Sequence, residues 1–222
     1  MGSATGDRGD PALPLAALRD AGETRPITML THQMAWTLGV GSLLEKFGSV
    51  VASHRTAGDI FAKGHHVLVF PGGDREAAKP WPERNHIQFH GRTGFAQLAI
   101  AQRVPIVPIV TAGAGESLLV LTSGREIARV LHLHQLLRTD WAPITVSIPW
   151  GINVGLVGLV PYLPLPTALE TTVLPAIDPG DETDPARLAQ DVRARMQCVL
   201  EGLVNDRVPV IGRIGPNWLL SQ

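Results

Sequence analysis

Phe70 to Glu76, read FPGGDRE, sets two glycines between a proline and three charges, directly after the aliphatic run Val67 to Val69. These residue types can do chemistry together. Glycines tolerate positive φ and let backbone N–H groups approach a ligand or a developing oxyanion. Arginine can hold a phosphate or another polar head group in a bidentate way. Arg55, upstream, is a second cation of the same kind. The bland alternative is a β-turn with solvated charges, in which Arg75 and Glu76 form only a local ion pair.

The elements that would position this turn follow from periodicity. Residues 66–70 read as a strand covered on both faces, and Pro71, which cannot donate to a ladder, ends it. Arg25 to Leu30 and Gly48 to Ser53 read as two further strands. A helix fits residues 11–21, starting near Asp10, and a helical turn fits Gly39 to Phe47. Thr56 and Asp59 have capping-box spacing at the head of another helix, with Gly64 as its stop. Beyond the turn, Gly91 to Arg103 predicts a helix with Phe95, Leu98 and Ala99 inward. Val104 to Val110 and Ala142 to Trp150 predict strands. Asp184, Pro185 and the stripe Leu188, Val192, Met196, Val199 and Leu203 predict a helix over 185–204. Alternating strands and helices imply an α/β single domain over residues 1–222, with a mixed, mostly parallel sheet flanked by helices. Residues 1–9 read as a flexible or truncated start. The site is expected at the carboxyl ends of the strands at 48–53 and 66–70, where open α/β sheets bind ligands.

Composition narrows the classes. The 222 residues carry a formal net charge of −1, with no massed basic segment, so nucleic acid is not an expected partner. The lone Cys198 excludes an intrachain disulfide, and no signal-like segment opens the chain, which suits a cytoplasmic location. Neither the cysteine nor any His-x-x-x-His pair makes a metal set, and the site is expected to need no metal. FPGGDREA lacks the Gly-Lys-Ser/Thr ending of a phosphate loop, which argues against a nucleotide-binding protein. The uncharged stretch Trp150 to Leu165 is too short to span a bilayer and is interrupted by Pro161 and Pro164. It reads as a buried strand and loop, or as a shallow contact with a bilayer surface.

Taken in order, Gly48 with Arg55, FPGGDRE, GRTGFAQLA and VPIVPIV resemble the motif blocks of the lysophospholipid acyltransferase-like family of glycerolipid acyltransferases. The likeness covers about residues 4 to 180. It is closest to the diacylglycerol-acyltransferase-like branch, whose third block reads PGG-x-x-E. It implies acyl transfer from acyl-CoA or an acyl carrier protein to a mono- or diacylglycerol or lysophospholipid hydroxyl, by a peripheral protein on a membrane surface and without a bound cofactor. By the same likeness Arg55, Gly72, Gly73, Arg75 and Glu76 would bind substrate. Gly91, Arg92, Gly94 and Phe95 match the segment after the third block.

The family's first block, His-x-x-x-x-Asp, supplies a base to take the acceptor's proton. Its best counterpart is TGDRGD, which puts Asp10 at the aspartate and Thr5 at the histidine. Threonine offers no base at neutral pH. No other histidine fits: Thr37 occupies the dyad position after His32, and His65 and His66 flank a strand. His86 and His90 belong to a polar loop near the PGG block. His132 and His134 lie on a leucine-rich helical stretch, and His54 precedes Arg55 on its strand. Three readings stand: a start placed too late, a lipid-binding or regulatory member without turnover, or a base from another residue.

Overall fold

The structure is a computed structural model that describes residues 4–7, 18–20, 22–31, 49–51, 53–77, 79–124, 143–147, 151–154 and 165–213. Residues 11–17 and 21 of the helix expected over 11–21, the helical turn expected over 39–47, most of the stretch 150–165, and Asp10, His32, His132 and His134 lie outside those residues.

The part nearest the glycine turn is a βαβ unit. Strands β2 (Ile27–Thr31), β3 (Ser49–Val51) and β4 (His66–Leu68) form a parallel sheet in the order β3-β2-β4. Met29 pairs with both Ser49 and Leu68. Helix α1 (His54–Ala62) connects β3 to β4 and packs on β4. Its cap is Ser53, not Thr56: the Ser53 hydroxyl accepts the Thr56 N–H at 3.0 Å. Gly64 follows with φ +74, as a helix stop requires. Glu23, just before β2, lies 2.9 Å from His66 Nε2. Hydrogen bonds from Arg25, and then from His66, hold its carboxyl well below the usual range.

The rest departs from a mostly parallel sheet. Strand β1 (Ala4–Asp7), expected as part of a flexible start, pairs antiparallel with β9 (Ala168–Val173), and β9 pairs antiparallel with β5 (Ile109–Ala112). Strands β6 (Leu119–Thr122), β7 (Ile144–Ser147) and β8 (Gly151–Val154) form an antiparallel meander. A short ribbon, β10 (Arg207–Val208) with β11 (Gly212–Arg213), completes the described sheets. The reason is connection length. Ser147 and Gly151 are paired across a three-residue link, far too short for a parallel crossover. The fold is therefore mixed α/β, with its parallel pairing confined among the described residues to β2, β3 and β4.

The core lies between α3 (Gly94–Gln102), α4 (Pro185–Val204) and β5. Ala96 of α3 clusters with Leu188, Ala189 and Val192 of α4, and with Phe89 and Ile177. Leu200 and Leu203 pack on Val110 and Ala112 of β5. Phe89 meets Phe95 edge to face, with ring centroids 5.2 Å apart. Helix α4 runs over the predicted span, because Asp184 accepts the Ala186 N–H at 2.8 Å and Pro185 fits the first turn. The VPIVPIV run is shorter as a strand than predicted. Its prolines limit pairing to a bridge between Ile106 and Ile177 and to β5, which begins after Pro108.

Candidate active site

Two of the predicted cationic positions leave the parallel sheet from the same edge. Strands β3 and β4 flank β2 and run parallel, so their carboxyl ends stand about 10 Å apart. From β3 the chain passes through Ser53 into the first turn of α1, where Arg55 is exposed. Arg55 thus sits on a helix, and with it His54, instead of on the strand expected for them. From β4 the chain reaches Phe70, which is 51% exposed and not buried as the apolar run implied. Phe70 already belongs to the turn: its carbonyl accepts the Gly73 N–H at 3.1 Å.

The glycine turn leads into a short helix, α2 (Gly73–Ala77), where a loop was expected. Gly73 has φ +59, and a Cβ there would stand 2.0 Å from an Arg92 guanidinium nitrogen. That nitrogen donates to the Gly72 carbonyl at 2.6 Å. Gly72 is buried, and its Cβ would overlap Glu76 Cβ at 2.3 Å and the Gln88 carbonyl at 2.9 Å. Both glycines are therefore required by the protein's own packing. Arg92 closes over one and Glu76 over the other.

Glu76 is turned inward. Its carboxylate accepts Lys79 Nζ at 2.5 Å and the Gln88 N–H at 3.2 Å, and the same lysine donates to the His86 carbonyl at 2.7 Å. This ties α2 to the segment 86–92. Arg75, the preceding residue, is exposed. Neighbours on a helix diverge by about 100°, so the acid supports the turn from behind while the arginine stands on the outer surface. Lys79 and Gln88 were missed by sequence reasoning. Arg92 appeared only as a family match, although its distance from two glycines in sequence gave no sign of its contact with them.

Thr5 lies in β1, with its backbone paired opposite Glu170; Asp10 lies outside the described residues. The structure thus brings the Arg55 helix start and the Gly72–Glu76 turn to one sheet edge, and places Thr5 in the β1-β9-β5 sheet.

Gly73→Ala is expected to lower stability by roughly 2–4 kcal/mol, from left-handed strain and the displaced Arg92 hydrogen bond. Arg92→Ala, which removes the same hydrogen bond without left-handed strain, should cost less. Urea denaturation checks both, and equal losses would contradict the strain at Gly73.

Comparison with known proteins finds a family model and several relatives. Residues 9–112 match the acyltransferase family model, a span that includes the parallel sheet, the glycine turn, α3 and β5. An uncharacterised protein of Mycobacterium leprae is 29% identical over 204 residues, covering 88% of this chain and 52% of that one. An uncharacterised protein of Mycobacterium tuberculosis is 32% identical over 136 residues, covering 61% of this chain and 36% of its own length. The bovine DGAT1/2-independent enzyme synthesizing storage lipids is 33% identical over 132 residues, or 60% of this chain and 38% of the enzyme. No solved structure matches the chain. The family-model match and these relatives support an acyltransferase-like family for the chain. It spans about half the length, or less, of the curated relatives it matches.

Proposed function

We propose that this chain forms the acyl-transfer domain of an O-acyltransferase that moves a fatty acyl group from acyl-CoA to a glycerolipid hydroxyl at a membrane surface. The observation that carries the reading is the glycine turn, fixed from behind by Arg92 and Glu76 at the carboxyl edge of a parallel sheet, within the acyltransferase match. The bovine relative's printed name, a storage-lipid-synthesizing enzyme, supports a lipid product.

The acceptor oxygen attacks the thioester carbonyl carbon; the ester C–O bond forms, the C–S bond breaks, and the hydroxyl proton passes through a base to the leaving thiolate. Gly73 already gives its N–H to the Phe70 carbonyl, so a backbone donor to the oxyanion comes from a neighbour in the turn. Arg55 and Arg75 hold an anionic group on donor or acceptor. Glu76 acts through the turn it supports, as a positioning residue. A PGG-x-x-E block favours a neutral acceptor, mono- or diacylglycerol, over a lysophospholipid.

A labelled acyl-CoA offered with mono- and diacylglycerol and lysophosphatidate should yield new ester. Arg75→Ala is expected to lower kcat/KM by about 10–100-fold wherever the arginine holds a phosphate, the usual scale for a hydrogen bond to a charged group. An equal loss with every acceptor assigns Arg75 to the donor; no loss with any substrate removes it from the site. The second reading, a lipid-binding or regulatory member, rests on Thr5 at the histidine position and on its place in a β-ladder. It predicts saturable lipid binding without ester.

A further inference from the structure

The β6-β7-β8 sheet has its polarity inverted. Its buried row pairs Val120 with Thr145 and Thr145 with Asn153, at 2%, 0% and 8% exposure. The Thr145 hydroxyl has no hydrogen-bond partner among the described residues. The opposite rows carry most of the apolar side chains: Leu119, Val146 and Ile152 in one, and Ile144 and Val154, with Thr122, in the next. Ile152 is 73% exposed and Val154 50%, and Leu121, the extra residue where the register shifts, is 50% exposed. The strand expected at the head of the 150–165 stretch is therefore present but not buried. It turns an asparagine inward and its aliphatic side chains outward.

Strands with one face in water normally show the reverse pattern. We propose that this outer face is the surface on which the protein lies against a lipid bilayer, an inference that rests on the acyltransferase reading above. Three observations favour lipid over a protein partner. The paired positions of the outer rows hold no ionisable residue, and the chain's formal net charge is −1, so nothing there offers charge complementarity to a protein. The face is small: three four-residue strands span about 13 by 14 Å, against about 800 Å² per partner in a standard interface. A bilayer needs no matching patch. The sheet also adjoins the candidate site, because β6 packs against the Trp81–Glu83 turn, within the segment that joins α2 to Gln88 and Arg92. No helix among the described residues is long and apolar enough to cross a membrane, so contact through this face would be superficial.

Flotation of the 222-residue chain with phosphatidylcholine vesicles tests this. The wild type should float with little dependence on salt, and Ile152→Asp/Val154→Asp should weaken partitioning at least tenfold with an unchanged circular dichroism spectrum. If that variant unfolds, Ile152→Thr/Val154→Thr keeps β-branched side chains and should still weaken binding several-fold. Undiminished flotation of a folded variant overturns the inference. So does a wild-type dimer, in the absence of lipid, that either variant dissociates, since that gives the face to a second copy. Acyl transfer to a monodisperse short-chain acceptor separates the two readings. Transfer without vesicle binding removes the bilayer face alone, and face-dependent binding without transfer removes the enzymatic reading alone.

Discussion

Glu116→Ala should destabilise the fold by about 3–5 kcal/mol, the usual result of stripping one partner from a buried ion pair. Glu116 and the Arg207 side chain are each 2% exposed and 2.5 Å apart. The other carboxylate oxygen accepts the Val210 N–H at 2.7 Å, where the backbone holds a β-branched residue at φ +70. Arg207 also donates to the Ala168 carbonyl, and Gly113 leaves room for that contact. Arg84 lies 3.9 Å from the carboxylate and stacks 4.5 Å above the Trp81 ring. Alanine at 116 therefore leaves Arg207 buried with no counter-charge among the described residues and Val210 without its acceptor. Against a typical total of about 5–15 kcal/mol, that is a third or more of the stability. The paired substitution Glu116→Leu/Arg207→Met should recover most of the loss, since apolar replacements remove both desolvation costs together. Thermal unfolding of the two variants decides it. Equal destabilisation of the single and double variants would mean that the hydrogen bonds to backbone, not the unpaired charge, set the cost.

That cluster shows where sequence reasoning stops. Glu116 and Arg207 lie far apart in the chain and share no spacing, cap or periodicity; only the closure of β9 beside the turn after β5 brings them together. The Arg92 contact with Gly72 and Gly73 is hidden for the same reason. Local signals fared better. Helix α4 is written into Asp184, Pro185 and a stripe with helical spacing, and β2 and β3 are compact runs between breakers. Gly72 and Gly73 were also legible, though for another purpose: they admit the protein's own side chains, whereas the sequence suggested room for a ligand. The sheet misled because alternation of strand and helix is genuine from β2 to β4 and was extended past β5, where a three-residue link between β7 and β8 dictates a hairpin. The inverted meander misled differently. An apolar, uncharged run reads as buried, yet alternation along β8 puts Asn153 inside and Ile152 outside.

Thr5→His is expected to raise acyl transfer by on the order of 10²–10⁴, the usual contribution of a positioned general base. The substitution recreates His-x-x-x-x-Asp with Asp10, the spacing by which the acyltransferase family arranges a base and the acid that orients it. The threonine hydroxyl cannot take the acceptor's proton near neutral pH, so without a base from another residue the present chain should transfer slowly. Position 5 has an anchored backbone: β1 is laddered to β9, with Thr5 opposite Glu170. An imidazole on that strand starts from a defined place. The pH profile distinguishes a base from a mere packing change. Histidine works as a base only when neutral, so the rate gained by the variant should rise with pH through the imidazole titration, near 6.5 in the absence of other influences, and level off above it. The wild type should lack that limb. Thr5→Gln, similar in size and polarity but without a titratable group, should give neither the gain nor the limb. A folded Thr5→His variant with no added activity and no histidine limb would take position 5 out of the site and put the base, where transfer is measurable at all, on another residue.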